Sequence, residues 1–305
     1  MGQLRNTILA RDVLGIEILE WAKKSEWGFK LLKHRLWTAA VIVVIFLTAL
    51  YSLPEEYFIA LLVPVLLIAA WEWSNLAQIK KTYFQVGYLT IIFVLICAAG
   101  RALNFFGTID FDSGKMILLF AICLWLLNLI FIKQYPSRIA LWSHQHIFSL
   151  IGALMIVFTW VSIVVILGHQ QGRLMLVLSI LIVVAADAGG YFGGKLFGHH
   201  QLSPTLSPGK TWEGFACGLI CQIPVTVVFG HFFPHSQLLE TLIFLVIPVA
   251  LFSVLGDLFE SMVKRNSGFK DSSNLLPGHG GLLDRFDGYM AALPLFGLLI
   301  LFRPI

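Results

Sequence analysis

Charge is scarce in this chain. Of its 305 residues only 12% are Asp, Glu, Lys or Arg, about half the share of an ordinary soluble domain. Hydrophobic residues make up 58%, and mean hydropathy is +0.85. A water-soluble fold of this composition would expose large apolar patches and aggregate, so the chain reads as an integral membrane protein. Cysteine is sparse too. Cys97, Cys123, Cys217 and Cys221 all lie inside apolar runs, which implies no disulfide framework. Cys217 and Cys221 share a helix face, but two thiols in hydrocarbon without a third ligand are small packing residues. The first 30 residues lack an apolar core and contain Asp12, Glu17, Glu20 and Glu26, so they do not read as a signal peptide. Alternating strands are also missing. The apolar runs are unbroken, as in VIVVIFLTAL, which favours helices over a β-barrel. Nothing points to a nucleic-acid partner.

What is present is an all-α pattern of about nine transmembrane helices. The candidate spans are 36–53, 57–71, 86–100, 116–132, 147–168, 172–192, 212–234, 238–259 and 289–303. Basic residues orient them. The N-terminal arm and the loops after spans 2, 4, 6 and 8 hold 17 of the 21 Lys and Arg; Arg101, Lys115, Arg173 and Arg303 are left for the other side. This predicts a cytoplasmic N-terminus and an outside C-terminus. Residues 1–32 read as an amphipathic extension along the membrane interface, with Trp21, Trp27 and Phe29 near its edge. Residues 33–305 form the multi-span domain.

Polar chemistry is concentrated in 187–288. Upstream, Trp71 and Trp73 around Glu72 read as an aromatic belt, and Asp110 with Asp112 as a solvated turn. Asp187 is different, because an aspartate within an apolar run is expensive in lipid and marks a site by default. In SPTLSPGKTWEGF (203–215), GKT is no phosphate-binding P-loop, because Pro204 stands where that motif needs glycine. Ser207, Lys210 and Thr211 at the start of a helix still suit a phosphate, and Glu213 suits the helix dipole. Asp257 and Glu260 close span 8. Lys264, Arg265, Lys270, Asp271, His279, Gly280, Gly281, Asp284, Arg285 and Asp287 follow. Carboxylates, basic groups and glycines together predict a site for a polyphosphate with a hard cation such as Mg²⁺: carboxylates hold the metal, basic groups take the remaining charge, and glycines let the backbone approach. Asp257, Asp284, Lys264 and Arg285 are the candidate catalytic groups. Arg265, Lys270, Asp271, His279, Gly280, Gly281 and Asp287, with Asp187, Ser207, Lys210, Thr211 and Glu213, are candidates for binding substrate.

SMVKRNSGFKDSSNLLPGHGGLLDRFD (261–287) resembles the signature of the phosphatidate cytidylyltransferase (CDP-diacylglycerol synthase) family. Its fixed positions are met from Ser261 through Lys264, Arg265, Lys270, Asp271, Pro277, His279, Gly280, Gly281, Asp284 and Arg285 to Asp287. DAGGYFGGKLFG and LSPGKTWEG are similar to family motifs in order and spacing. The resemblance implies transfer of a cytidylyl group from CTP to phosphatidic acid in the bilayer, in an inner-membrane homodimer with its site on the cytoplasmic face. It also implies that Asp257 and Asp284 bind Mg²⁺, with a second cation such as K⁺. Isoprenoid-lipid kinases and related lipid nucleotidyltransferases stay open as alternatives. DGYMA (287–291) begins like the CDP-alcohol phosphotransferase pattern, but Ala292 stands where arginine is needed. A transporter built around Asp187 would need repeated, broken helices at the membrane midplane, and no internal repeat is present.

Overall fold

The computed structural model describes residues 40–137, 139, 144–233, 237–275 and 280–302. The expected N-terminal extension and His279 lie outside the described residues. Within the described residues, each of the nine apolar runs coincides with helix. The first, α1, is described over Ala40–Ser52. It is followed by α2 (Glu55–Leu76), α3 (Thr82–Ala102), α4 (Phe111–Gln134), α5 (Gln145–Leu167) and α6 (Gly172–Phe197). A hairpin comes next, β1 (Gln201–Ser203) and β2 (Ser207–Thr211), paired antiparallel with Gln201 opposite Thr211. The chain closes with α7 (Trp212–Ile220), α8 (Gln222–Phe232), α9 (Leu238–Thr241), α10 (Ile247–Asn266) and α11 (Leu283–Phe302). A π-helical turn, Leu242–Val246, joins α9 to α10, so that Leu238–Asn266 is one span of 29 residues.

The bundle is built around α5, which is hydrophobic on every side and buried from Met155 to Leu167. Thr159 and Ser162 return their hydroxyls to their own helix, at Met155 O and Thr159 O, so neither hydroxyl is stranded there. On one side α2 crosses it where the Trp73 ring occupies the space a Cβ at Gly152 would need. Trp73 Nε1 donates to Phe148 O at 2.8 Å. Trp73 is fully buried and Trp71 is 39% exposed, so only Trp71 fits the expected belt. On the other side α6, α7, α10 and α11 enclose the polar region. The α6–α7 contact is close because both faces are small. A Cβ at Gly214 would meet Gly190 O, and one at Gly193 would meet Cys217. Cys217 and Cys221 thus sit as packing residues against the α6 glycines.

Several helices outrun their apolar runs, as α2 does to Leu76 and α6 to Phe197, and three spans differ further. The seventh breaks at Cys221, because Pro224 cannot donate to Ile220 O; the buried Gln222 amide donates instead to Ile182 O and Gly218 O. The eighth continues to Asn266, so Asp257 and Glu260 lie inside α10 rather than at its end. The ninth begins at Leu283, which makes Asp284, Arg285 and Asp287 helical. In both of the last two, charged residues lower local hydropathy without ending the helix. Asp110 is the N-cap of α4. It accepts from the backbone N–H of Asp112 and Ser113 and from the Ser113 hydroxyl, which hold its carboxyl below the usual range.

Candidate active site

A cavity of about 250 Å³ opens between α6, the hairpin, α7 and α10. Asp187 and Tyr191 come from α6, Lys210 and Thr211 from β2, Phe215 from α7 and Asp257 from α10. Lys210 Nζ lies 2.5 Å from Asp257 Oδ2, and both side chains keep roughly a quarter of their surface exposed. Asp257 Oδ1 accepts from Ser261 Oγ at 3.3 Å. Asp187 is exposed on the cavity wall, within electrostatic reach of Asp257, Lys210 and Arg285.

The hairpin that presents Lys210 is fixed at several points. Leu206 at its tip is buried, and Arg265 Nε donates to Leu206 O at 3.4 Å. Thr211 caps α7, its hydroxyl accepting from Gly214 N at 3.1 Å. Glu213 closes the corner before β1. It accepts from the backbone N–H of His199 and His200 and lies 2.6 Å from His200 Nδ1. Ser207 is half-buried in β2. Lys210 therefore sits on a strand, where the sequence suggested a helix start.

Behind the cavity lies a closed polar network. Lys264 Nζ stands between Glu260 Oε2 at 2.7 Å and Asp284 Oδ1 at 2.8 Å. Asp284 in the first turn of α11 also accepts from Ser272 N, Ser272 Oγ and Gly281 N, at the end of the helix that favours negative charge. Gly280 has φ +81°, which disfavours any side chain. A Cβ at Gly281 would run into Ser272 Oγ and both oxygens of Glu72. Asp287 joins the halves, close enough to both Asp257 and Glu260 for their charges to act on it.

The predicted residues thus divide. Asp187, Lys210, Thr211 and Asp257 meet at the cavity; Lys264, Asp284, Gly280 and Gly281 belong to the closed network. Arg265 and Glu213 hold the hairpin and its approach. Arg285 is exposed near Asp187, and Lys270 and Asp271 are exposed on the loop before α11. Among the described residues no three His, Cys, Asp or Glu are grouped to hold a metal by themselves. That suits Mg²⁺ bound by one or two carboxylates plus substrate phosphates rather than a protein cage. The hard oxygens of Asp257 beside Asp187 fit it: Asp257 has one partner on each oxygen, Ser261 Oγ and Lys210 Nζ, whereas each oxygen of Asp284 has at least two. Glu72, Glu260, Ser272 and Ser273 were not singled out by sequence reasoning as parts of the site. Glu72 is fully buried, which corrects its reading as an interfacial anchor. The usable signal was a carboxylate inside the apolar run LLIAAWEW, the same signal that marks Asp187.

The cytidylyltransferase family model matches residues 33–302. A phosphatidate cytidylyltransferase of Haemophilus influenzae is 35% identical over 287 residues, covering 89% of this chain and 99% of that protein. One from Pseudomonas aeruginosa is 35% identical over 271 residues, covering 88% and 97%. A Staphylococcus saprophyticus phosphatidate cytidylyltransferase is 44% identical over 133 residues, which cover 44% of this chain and 51% of that protein. With nearly the whole chain covered by the family model and its motif residues placed at the cavity and in the network behind it, the protein belongs to the cytidylyltransferase family.

Proposed function

We propose that this protein transfers the cytidylyl group of CTP to phosphatidic acid, giving CDP-diacylglycerol and pyrophosphate. The observation that carries the reading is the cavity in which Lys210 and Asp257 meet beside Asp187. Its lining combines charged groups with apolar side chains such as Leu219, Ala250 and Val254. A nucleotide triphosphate suits the first and a lipid the second. The relatives, named phosphatidate cytidylyltransferases, support the same choice of substrates.

The phosphate monoester oxygen of phosphatidate attacks the α-phosphorus of CTP. A P–O bond forms there as the bond to the β-phosphate bridging oxygen breaks, and pyrophosphate leaves. The monoester is largely ionised at neutral pH, so no strong general base is required. Repulsion is the larger obstacle: two unit charges 4 Å apart cost about 4 kcal/mol at an effective dielectric of 20. Lys210 and Arg285 offset it within reach of Asp187. Mg²⁺ held by Asp257, with Asp187 or Asp284, would supply charge neutralisation on the phosphate oxygens. Lys264 and Asp284 hold the loop behind the cavity in place.

The proposal includes an inner-membrane location and a homodimer, and a cytoplasmic site and cytoplasmic N-terminus, the last two supported by the bias of Lys and Arg. Terminal reporter fusions test the orientation, membrane fractionation the location and native mass spectrometry in detergent the homodimer. The reaction is tested with purified protein, phosphatidate and radiolabelled CTP, with ATP, GTP and UTP as competitors. Labelled CDP-diacylglycerol that needs Mg²⁺ and survives the competitors supports the reading. Label transfer only from ATP would replace it with a lipid kinase.

A further inference from the structure

Glu72 has no role in the chemistry above, yet it is among the most completely buried charged groups in the described structure. It lies on α2, about 200 positions from the signature loop, and all of its bonds go to that loop. Oε1 accepts from Ser273 Oγ at 2.5 Å and Leu282 N at 3.0 Å. Oε2 accepts from Ser272 Oγ at 3.2 Å and Leu283 N at 2.6 Å. Each oxygen thus receives one hydroxyl and one backbone N–H, so both strands of the loop meet on one carboxylate. Ser272 Oγ also lies 3.1 Å from Asp284 Oδ2. A hydroxyl has one proton, so Ser272 donates to only one of the two carboxylates at a time and ties their positions together.

Resting on the proposed reaction, we infer that Glu72 is a positioning residue: its buried carboxylate sets the signature loop and the first turn of α11, and through Ser272 the placement of Asp284 and Lys264. The donor set requires a carboxylate. In Glu72→Gln either amide orientation turns an NH₂ group toward the backbone N–H of Leu282 or Leu283, two donors facing each other. Ser272 and Ser273 can rotate their hydroxyls to accept, but those backbone groups cannot. Glu72 therefore differs from an ordinary buried packing residue in that its isostere fails.

The test uses the full-length protein in detergent with Glu72→Gln, Ser272→Ala, Ser273→Ala and the Glu72→Gln/Ser272→Ala double variant. Glu72→Gln should lower kcat by about ten- to hundredfold, the usual cost of removing a supporting contact, with KM for CTP within about twofold. Because the two act in series, the double variant should be no slower than the slower single one. Each serine variant alone should lower kcat by a few-fold. Amide exchange at Leu282 and Leu283 should quicken in Glu72→Gln while the α5 core stays protected. Wild-type kcat in both serine variants would overturn the proposal even if Glu72→Gln failed to fold. So would losses that multiply in the double variant. Absence of cytidylyl transfer by the wild-type protein would sink the proposed reaction instead; unchanged exchange at Leu282 and Leu283 would then also sink the clamp.

Discussion

The polar region has an open half and a closed half, and they use the same residue types differently. In the open half, Asp187, Lys210 and Asp257 stand around a cavity with part of their surface exposed and few bonds of their own. In the closed half, Glu72, Lys264 and Asp284 are enclosed by matched partners. Charges left with spare capacity can bind something that arrives. Charges already satisfied hold shape, and losing one leaves its partner buried and unpaired. Removing a charge from the open half should therefore cost turnover with little stability, and removing one from the closed half should cost both.

The largest effect is expected at Asp257. Asp257→Asn should reduce kcat by about 10²–10³, the scale of losing one electrostatic contact in a reaction site, with Tm nearly unchanged. Asp257→Cys should be inactive with Mg²⁺ and regain activity with Mn²⁺ or Cd²⁺, since thiolate favours softer ions. Asp284→Cys tested the same way sharpens the comparison. Equal rescue there would show that Asp284 also ligates metal and that the closed half opens when nucleotide enters. Next, Lys264→Met should lower stability by about 3–5 kcal/mol, because it leaves Glu260 and Asp284 without their shared cation, and activity should fall with it. A fully stable, slow variant would place Lys264 in the chemistry.

Lys210→Ala should lower kcat/KM for CTP by about tenfold to hundredfold, a loss of one or two charge-assisted hydrogen bonds, at unchanged Tm. Normal kinetics would remove Lys210 from the site, and a large fall in Tm would move it to the closed half. The smallest effect is expected outside both halves. Asp271→Asn, exposed on the loop, should change stability by less than about 0.5 kcal/mol and turnover by less than threefold, measured in the same assay.

The helices were legible because a run such as IVFTWVSIVVIL can only be buried or in lipid. The motif loop was legible because Lys264, Asp284 and the paired glycines have no single bland explanation at that spacing. Span ends were not, where polar residues belong to helices: Asp284 and Asp287 look like loop by hydropathy yet lie in α11. Glu72 was misread for a related reason. Tryptophans beside a carboxylate look the same whether they flank lipid headgroups or a buried clamp, and what separates the two is Ser272, Ser273, Leu282 and Leu283 arriving from the far end of the chain. Lys210 was placed in the site but on the wrong element, because SPTLSPG gives turn signals without showing that its flanks pair.

The span Leu238–Asn266 has one more consequence. At 1.5 Å per residue its 29 residues measure about 44 Å, against a hydrocarbon layer of about 30 Å. Absorbing that whole excess by leaning would take about 47°, beyond the roughly 0–40° seen for membrane helices. Part of the helix must therefore stand clear of the acyl chains. Its first turns are leucine-rich with a single charge, Glu240, and its last carry Glu260, Lys264, Arg265 and Asn266, so most of the overhang falls at the more charged end. Twenty residues of crossing end at Asp257. Under the proposed reaction and topology, the helix is a mast that lifts its carboxylate to headgroup height, where a phosphate anchored by two acyl chains and a nucleotide dissolved in water reach the same level without either leaving its own phase.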